Sequence, residues 1–129
     1  MDTEEKKNDF YNTNDRILLF GPLWLDREKR KVMTVFYSEV FLSEDEFKTL
    51  FLLANNEGKS LTFDDLYISV WEKGDGTDRR GEALDGINKI VQQINSVEPG
   101  MLWIEYRREF GYVFRLHEIY HHDVCLMRA

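Results

Sequence analysis

From Arg16 to Leu42 the apolar residues fall in short stretches separated by turn-forming or charged residues. "RILLFGPLWLD" (16–26) is apolar and aromatic with a break at Gly21-Pro22, which predicts an extended segment with a bend. "REKR" (27–30) reads as a charged turn, with a contact to a nucleic-acid backbone as the rival use of this small basic run. "KVMTVFY" (31–37) is β-branched and aromatic, as a strand prefers, and "EVFL" (39–42) makes a short further strand. Three short strands joined by tight turns predict an antiparallel meander. The period then changes. Ser43 with Glu46 three residues on is a capping-box signature, and Phe47, Leu50, Phe51 and Ala54 recur at helical spacing until Asn56-Glu57-Gly58. Thr62 and Asp65 repeat the box before Leu66, Val70 and Trp71. A glycine-rich acidic loop, "EKGDGTD" (72–78), leads into a third helix whose core face is Leu84, Ile87, Ile90 or Val91, and Ile94. Gly86 in its interior costs about 1 kcal/mol against alanine and implies a close neighbour. After Pro99-Gly100, "MLWIEYRREFGYVFRL" (101–116) alternates with a turn at Arg108-Glu109, predicting a β-hairpin. Meander, three helices and hairpin give the α+β class: a winged helix-turn-helix with an N-terminal antiparallel sheet.

Residues 1–16 are polar and mixed in charge, and read as a flexible arm without the apolar core of a signal peptide. The winged helix spans 17–115. The C-terminal extension, 116–129, shows no clear period and is open to a strand, a helix or a partner-binding tail. The 129 residues suffice for one domain with a real core. No apolar run approaches the roughly 20 residues of a membrane span, and one cysteine, Cys125, excludes an internal disulfide. The expectation is a cytoplasmic protein without contact to a membrane.

A net charge of −7 argues against a strong nonspecific grip on a polyanion, since duplex DNA rewards clustered Lys and Arg through counterion release. Local distribution matters more. Residues 79–95 carry Arg79, Arg80 and Lys89 against Glu82 and Asp85, a balance of +1. Residues 101–115 carry Arg107, Arg108 and Arg115 against Glu105 and Glu109, again +1. The excess acid lies mostly between residues 26 and 78.

Four stretches resemble the effector domain of OmpR/PhoB-type response regulators, over about residues 17–115. They are "FGPLWLD" (20–26), "VFLSEDEFKTLFLLANNEGK" (40–59), "LTFDDLYISVW" (61–71) and "IEYRREFGYVF" (104–114). The resemblance implies a bacterial transcription regulator that places its third helix in the major groove and its hairpin wing in the minor groove. It also implies contact of the 72–78 loop with RNA polymerase, and a homodimer on direct-repeat half-sites. "GEALDGINKIVQQI" (81–94) fills the frame of the family's third helix: Ile87, Ile90 and Ile94 match its apolar positions and Lys89 keeps one cation. Gly81 stands at the first arginine position with Arg80 beside it, and Val91 and Gln93 replace an arginine and a lysine. In the wing, Arg108 matches the minor-groove arginine, whereas Glu109 replaces a glycine.

The candidate DNA-binding residues are therefore Arg79, Arg80, Asp85, Asn88, Lys89, Gln92, Arg107 and Arg108. Arg79 and Arg80 are read as a phosphate clamp at the helix start, against a solvated loop end. Asn88 and Gln92 suit adenine and Lys89 suits guanine, each good bidentate pair giving about 1–3 kcal/mol of discrimination; the rival is an ordinary soluble helix face. Asp85 can accept from cytosine N4 but repels phosphates, as does Glu82. Arg107 and Arg108 suit DNA at the hairpin tip, or pair with Glu105 and Glu109. Trp24, Trp71 and Trp103 read as core or sheet-face residues. His117, His121 and His122 with Asp123 lack the spacing of a known metal motif, Cys125 lacks a basic neighbour, and "KGDGTD" lacks the end of a P-loop. No metal, cofactor or catalytic constellation is expected. The alternative class is a winged-helix protein–protein interaction module that has lost DNA binding, motivated by the acidic charge, Glu109 and the aromatic tail.

Overall fold

The structure, a computed structural model, describes residues 16–21, 23–34, 38–97 and 102–115. Strands β1 (Ile17–Phe20), β2 (Leu23–Asp26), β3 (Lys31–Thr34) and β4 (Glu39–Phe41) form an antiparallel meander in sequence order. The meander thus has four strands where the sequence reading expected three, because Gly21, at φ 60°, reverses the chain and folds "RILLF" back onto "LWLD". Leu25 on β2 pairs with Val32 on β3, and both are fully buried. Trp24 and Met33 pair on the opposite, outward face, where Trp24 is partly exposed.

Helix α1 (Glu44–Asn55) begins at the expected capping box: the Glu46 amide donates to Ser43 Oγ and the Ser43 amide to Glu46 Oε1, at 3.2 and 2.9 Å. A two-residue strand β5 (Ser60–Leu61) follows. Helix α2 opens at the Thr62–Asp65 box as an α-turn, Phe63–Leu66, and continues as a π-helical turn, Tyr67–Trp71. Helix α3 (Arg80–Asn95) leads to the wing, strands β6 (Ile104–Arg107) and β7 (Gly111–Phe114). Strand β5 pairs with β7, so the wing belongs to a three-stranded sheet ordered β5-β7-β6. Periodicity cannot reveal a strand of two residues whose partner lies some fifty positions away.

One core joins these layers. Leu23, Leu25 and Val32 from the meander meet Phe47, Leu50 and Leu53 of α1, Ile87, Ile90 and Ile94 of α3, and Trp103, Ile104 and Phe114 at the base of the wing. Burying each aliphatic or Phe side chain contributes about 1.5–3 kcal/mol. On α3 the core face holds Ile87, Ile90 and Ile94 as read, and one residue differs. Ala83 is fully buried where Leu84 was expected, and Leu84 is 44% exposed. Among the described residues no helix is long and apolar enough to cross a membrane. Arg16, read as the end of the arm 1–16, is described and pairs with Asp26 at 3.2 Å, whereas residues 1–15, the extension 116–129, the histidine cluster and Cys125 lie outside the described residues.

Candidate nucleic-acid interface

The start of α3 is fastened by an arginine. The Arg79 guanidinium donates to Glu82 at 2.7 and 2.9 Å, to Asp45 at 3.2 Å and to the Trp71 carbonyl at 2.8 Å. It also lies over the Trp71 ring, and its backbone amide donates to the Tyr67 hydroxyl. Its side chain is only 14% exposed. Hydrogen bonds to Glu82, and after them Asp45, hold its pKa further above an already high value. Glu82 in turn is held below the usual carboxylate range, chiefly by the Arg79 hydrogen bond. The expected phosphate clamp at Arg79 does not fit this geometry, because its donors are directed inward at two carboxylates and a carbonyl. Arg80 faces outward. It is exposed, with its guanidinium 4.7 Å over the Tyr67 ring, an arrangement that orients the cation without neutralising it.

Trp71 explains Gly86. The Trp71 indole N–H donates to Thr49 at 3.0 Å, which fixes the ring, and the ring edge lies where a Cβ on residue 86 would stand. The close neighbour expected from the interior glycine is this indole. The π-helical turn ends at Trp71, and the Glu72 amide closes it by donating to the Tyr67 carbonyl at 2.8 Å.

The outward face of α3 carries Asp85, Asn88, Lys89 and Gln92, all exposed. Lys89 stands 3.3 Å from Glu46 Oε1, the oxygen that also caps α1, so this cation is partly neutralised within the fold. Asp85 and Lys89 border a groove against the acidic first turn of α1, Glu44 to Glu46. The side chains of Asp85, Asn88 and Gln92 make no hydrogen bond among the described residues. Gln93, which takes the place of a family lysine, is half-buried.

The wing is tied to the end of α3 by a residue that sequence reasoning did not single out. Asn95 Oδ1 accepts from the Trp103 and Ile104 amides at 2.7 and 2.9 Å, and its Nδ2 donates to the Ile104 carbonyl at 2.9 Å. A polar residue in the last turn of an amphipathic helix carries no signal of such a role until the returning strand is placed beside it. Gly111 closes the wing turn at φ 106°, where a Cβ would strike the backbone of Leu61. The turn spans residues 108–110, one longer than expected, with the Phe110 amide donating to the Arg107 carbonyl at 3.0 Å. Arg107 and Arg115 both donate to Glu105, at 3.2 and 3.3 Å. Their shared carboxylate lies below its ordinary pKa, with the Arg107 hydrogen bond as the main cause. Arg108 is exposed and makes no ion pair among the described residues. The two wing arginines therefore part company: Arg107 shares a carboxylate, and Arg108 stands outside the ion pairs of the described residues.

No protein-family model and no curated protein matches the chain. Solved structures do. The DNA-binding domain of Klebsiella pneumoniae RstA, solved in complex with the RstA box, is 29% identical with a TM-score of 0.57, covering 80% of this chain and 100% of that one. The DNA-binding domain of E. coli CadC superposes at a TM-score of 0.65 with 15% identity, over 81% of this chain and 96% of that one. DrrB of Thermotoga maritima, an OmpR/PhoB homologue, gives a TM-score of 0.56 at 20% identity over 88% of this chain and 50% of its own. The fold is that of the OmpR/PhoB-type winged-helix effector domains.

Proposed function

We propose that this chain is a sequence-specific, duplex-DNA-binding domain of a bacterial response-regulator type of transcription factor. In this reading α3 lies in the major groove and the wing reaches the neighbouring minor groove. Asn88, Gln92, Asp85 and Lys89 face base edges, and Arg80 and Arg108 meet phosphates or the minor groove. The single observation that carries the reading is the likeness, over four-fifths of the chain, to a domain solved on its DNA box. Arg79, Lys89 and Arg107 stand in internal ion pairs, so of the candidate cations Arg80 and Arg108 remain outside ion pairs among the described residues to release counterions. Specificity then rests on base-edge contacts more than on charge. The exposed 72–78 loop is assigned to RNA polymerase, and a homodimer to direct-repeat half-sites. The test is selection from a random duplex pool at two salt concentrations. Recovery of a common sequence supports the reading, and an empty selection at low salt removes it.

A specific observation favours a second reading. Leu84 at 44% and Ile68 at 62% expose apolar surface on α3 and on the π-helical turn of α2. Such a face suits a protein partner. If the selection is empty and Leu84→Asp abolishes binding to a partner recovered with the wild-type chain, the interaction-module reading takes precedence.

A further inference from the structure

We propose that Phe110 is an apolar wedge, which enters a base-pair step of duplex DNA from the minor groove beside the Arg108 guanidinium. The proposal rests on the DNA-binding reading above and adds to it a residue, a mode of contact and a step preference.

Four observations lead to it. Phe110 sits in the wing turn, where small and polar residues are usual, and yet 57% of it is exposed. Its ring has no aromatic partner among the described residues, in contrast to the equally exposed Tyr106, which rests on Tyr112 with centroids 4.7 Å apart. Two residues away Arg108 is exposed and outside any ion pair among the described residues, while Arg107 and Arg115 are drawn back to Glu105. The described hairpin, residues 102–115, is positive on a chain of net charge −7, with Arg107, Arg108 and Arg115 against Glu105 and Glu109. Among the described residues the tip thus offers a cation outside ion pairs and an unstacked ring together, on a locally positive hairpin of an acidic molecule.

The minor groove matches that pair. It is about 6 Å wide and strongly negative, which admits an arginine or a flat ring but not a whole two-stranded hairpin. Minor-groove proteins insert phenylalanine and other apolar side chains between base pairs, unstack one step and kink the duplex. Unstacking is cheapest at flexible TA and CA/TG steps, so the wedge selects such a step without a base-specific hydrogen bond. Burial of a ring releases no counterions. The contact therefore keeps its strength as salt rises, which suits a candidate interface whose Arg79, Lys89 and Arg107 are held in ion pairs.

The test uses duplexes recovered from the random pool, resynthesised with the fluorescent adenine analogue 2-aminopurine at each adenine in turn. Binding of the full chain is expected to brighten the probe at one step under the wing, a TA or CA/TG step. Phe110→Ala is expected to abolish that signal and to weaken binding about tenfold or more at every salt concentration, with an unchanged salt slope. Phe110→Leu, which keeps a wedge, is expected to retain both. Arg108→Ala should instead reduce the slope by about one. Circular dichroism of each variant separates these effects from unfolding. Undiminished binding by Phe110→Ala, or tight binding with no brightened probe, overturns the wedge and leaves the DNA reading standing. An empty selection overturns both.

Discussion

Trp71 and Gly86 are the pair that sets how α3 packs against α2. A methyl group at residue 86 cannot be accommodated by moving a flexible chain end, because it meets a buried ring held by Thr49. Gly86→Ala is therefore expected to lower stability by about 1–2 kcal/mol, after allowance for the roughly 1 kcal/mol that alanine gains in helix propensity. Urea unfolding measures it, and a variant as stable as the wild type would show that the indole is free to swing. The adjacent arginines separate two roles. Arg79→Ala leaves the Trp71 carbonyl without its Arg79 donor and leaves Asp45 to the longer Lys73 pair at 3.6 Å, for an expected loss of about 1–3 kcal/mol. Arg80→Ala removes an exposed ring contact and is expected to cost under about 1 kcal/mol. Its effect should fall on DNA affinity. Both side chains look alike in sequence. The carboxylate that draws Arg79 inward belongs to Asp45, 34 positions earlier, and no local pattern announces it.

At the scale of elements, what depends on neighbouring residues was legible and what depends on return of the chain was not. The capping boxes at Ser43 and Thr62 are encoded within four residues, and both form as read. Strand β5 and the role of Asn95 require the wing to come back against α1 and α3. The phase of α3 follows from Ile87, Ile90 and Ile94, all fully buried as read; only Leu84 was misplaced, because Ala83 is too small to mark the buried position beside it. The β2–β3 turn supplies a pH test. Asp26 is buried, which by itself raises its carboxyl pKa. Hydrogen bonds from Arg16 and from the Lys29 and Glu28 amides outweigh this and leave it below its ordinary value. Folding thus favours the ionised form. Its contribution to stability is complete above an unfolded pKa of about 3.9 and is lost as pH falls through the lower folded value. Asp26→Asn is expected to lower the melting temperature at neutral pH and to flatten its fall in acid. An acid limb identical to that of the wild type would assign the loss to Asp75, Glu82 and Glu105, whose pKa values are also depressed.

The whole molecule poses a question of charge. An acidic chain holds some of its cations against its own carboxylates, while the fold presents a helix and a wing in the arrangement seen in domains solved on DNA. Fold was readable from the sequence because it follows from the order and period of elements. The candidate interface was readable only as a set of residue types, since pairing of Lys89 with Glu46 and of Arg107 with Glu105 decides which charges remain outward. The most direct measurement is the salt dependence of binding to a selected duplex. Saturable binding is expected, with a shallow slope of log K against log salt of about −2 to −3, made shallower by about one in Arg108→Ala. No saturable binding at the lowest salt, or a slope of −6 or steeper unaffected by Arg108→Ala, as from a protein gripping many phosphates elsewhere, would contradict it.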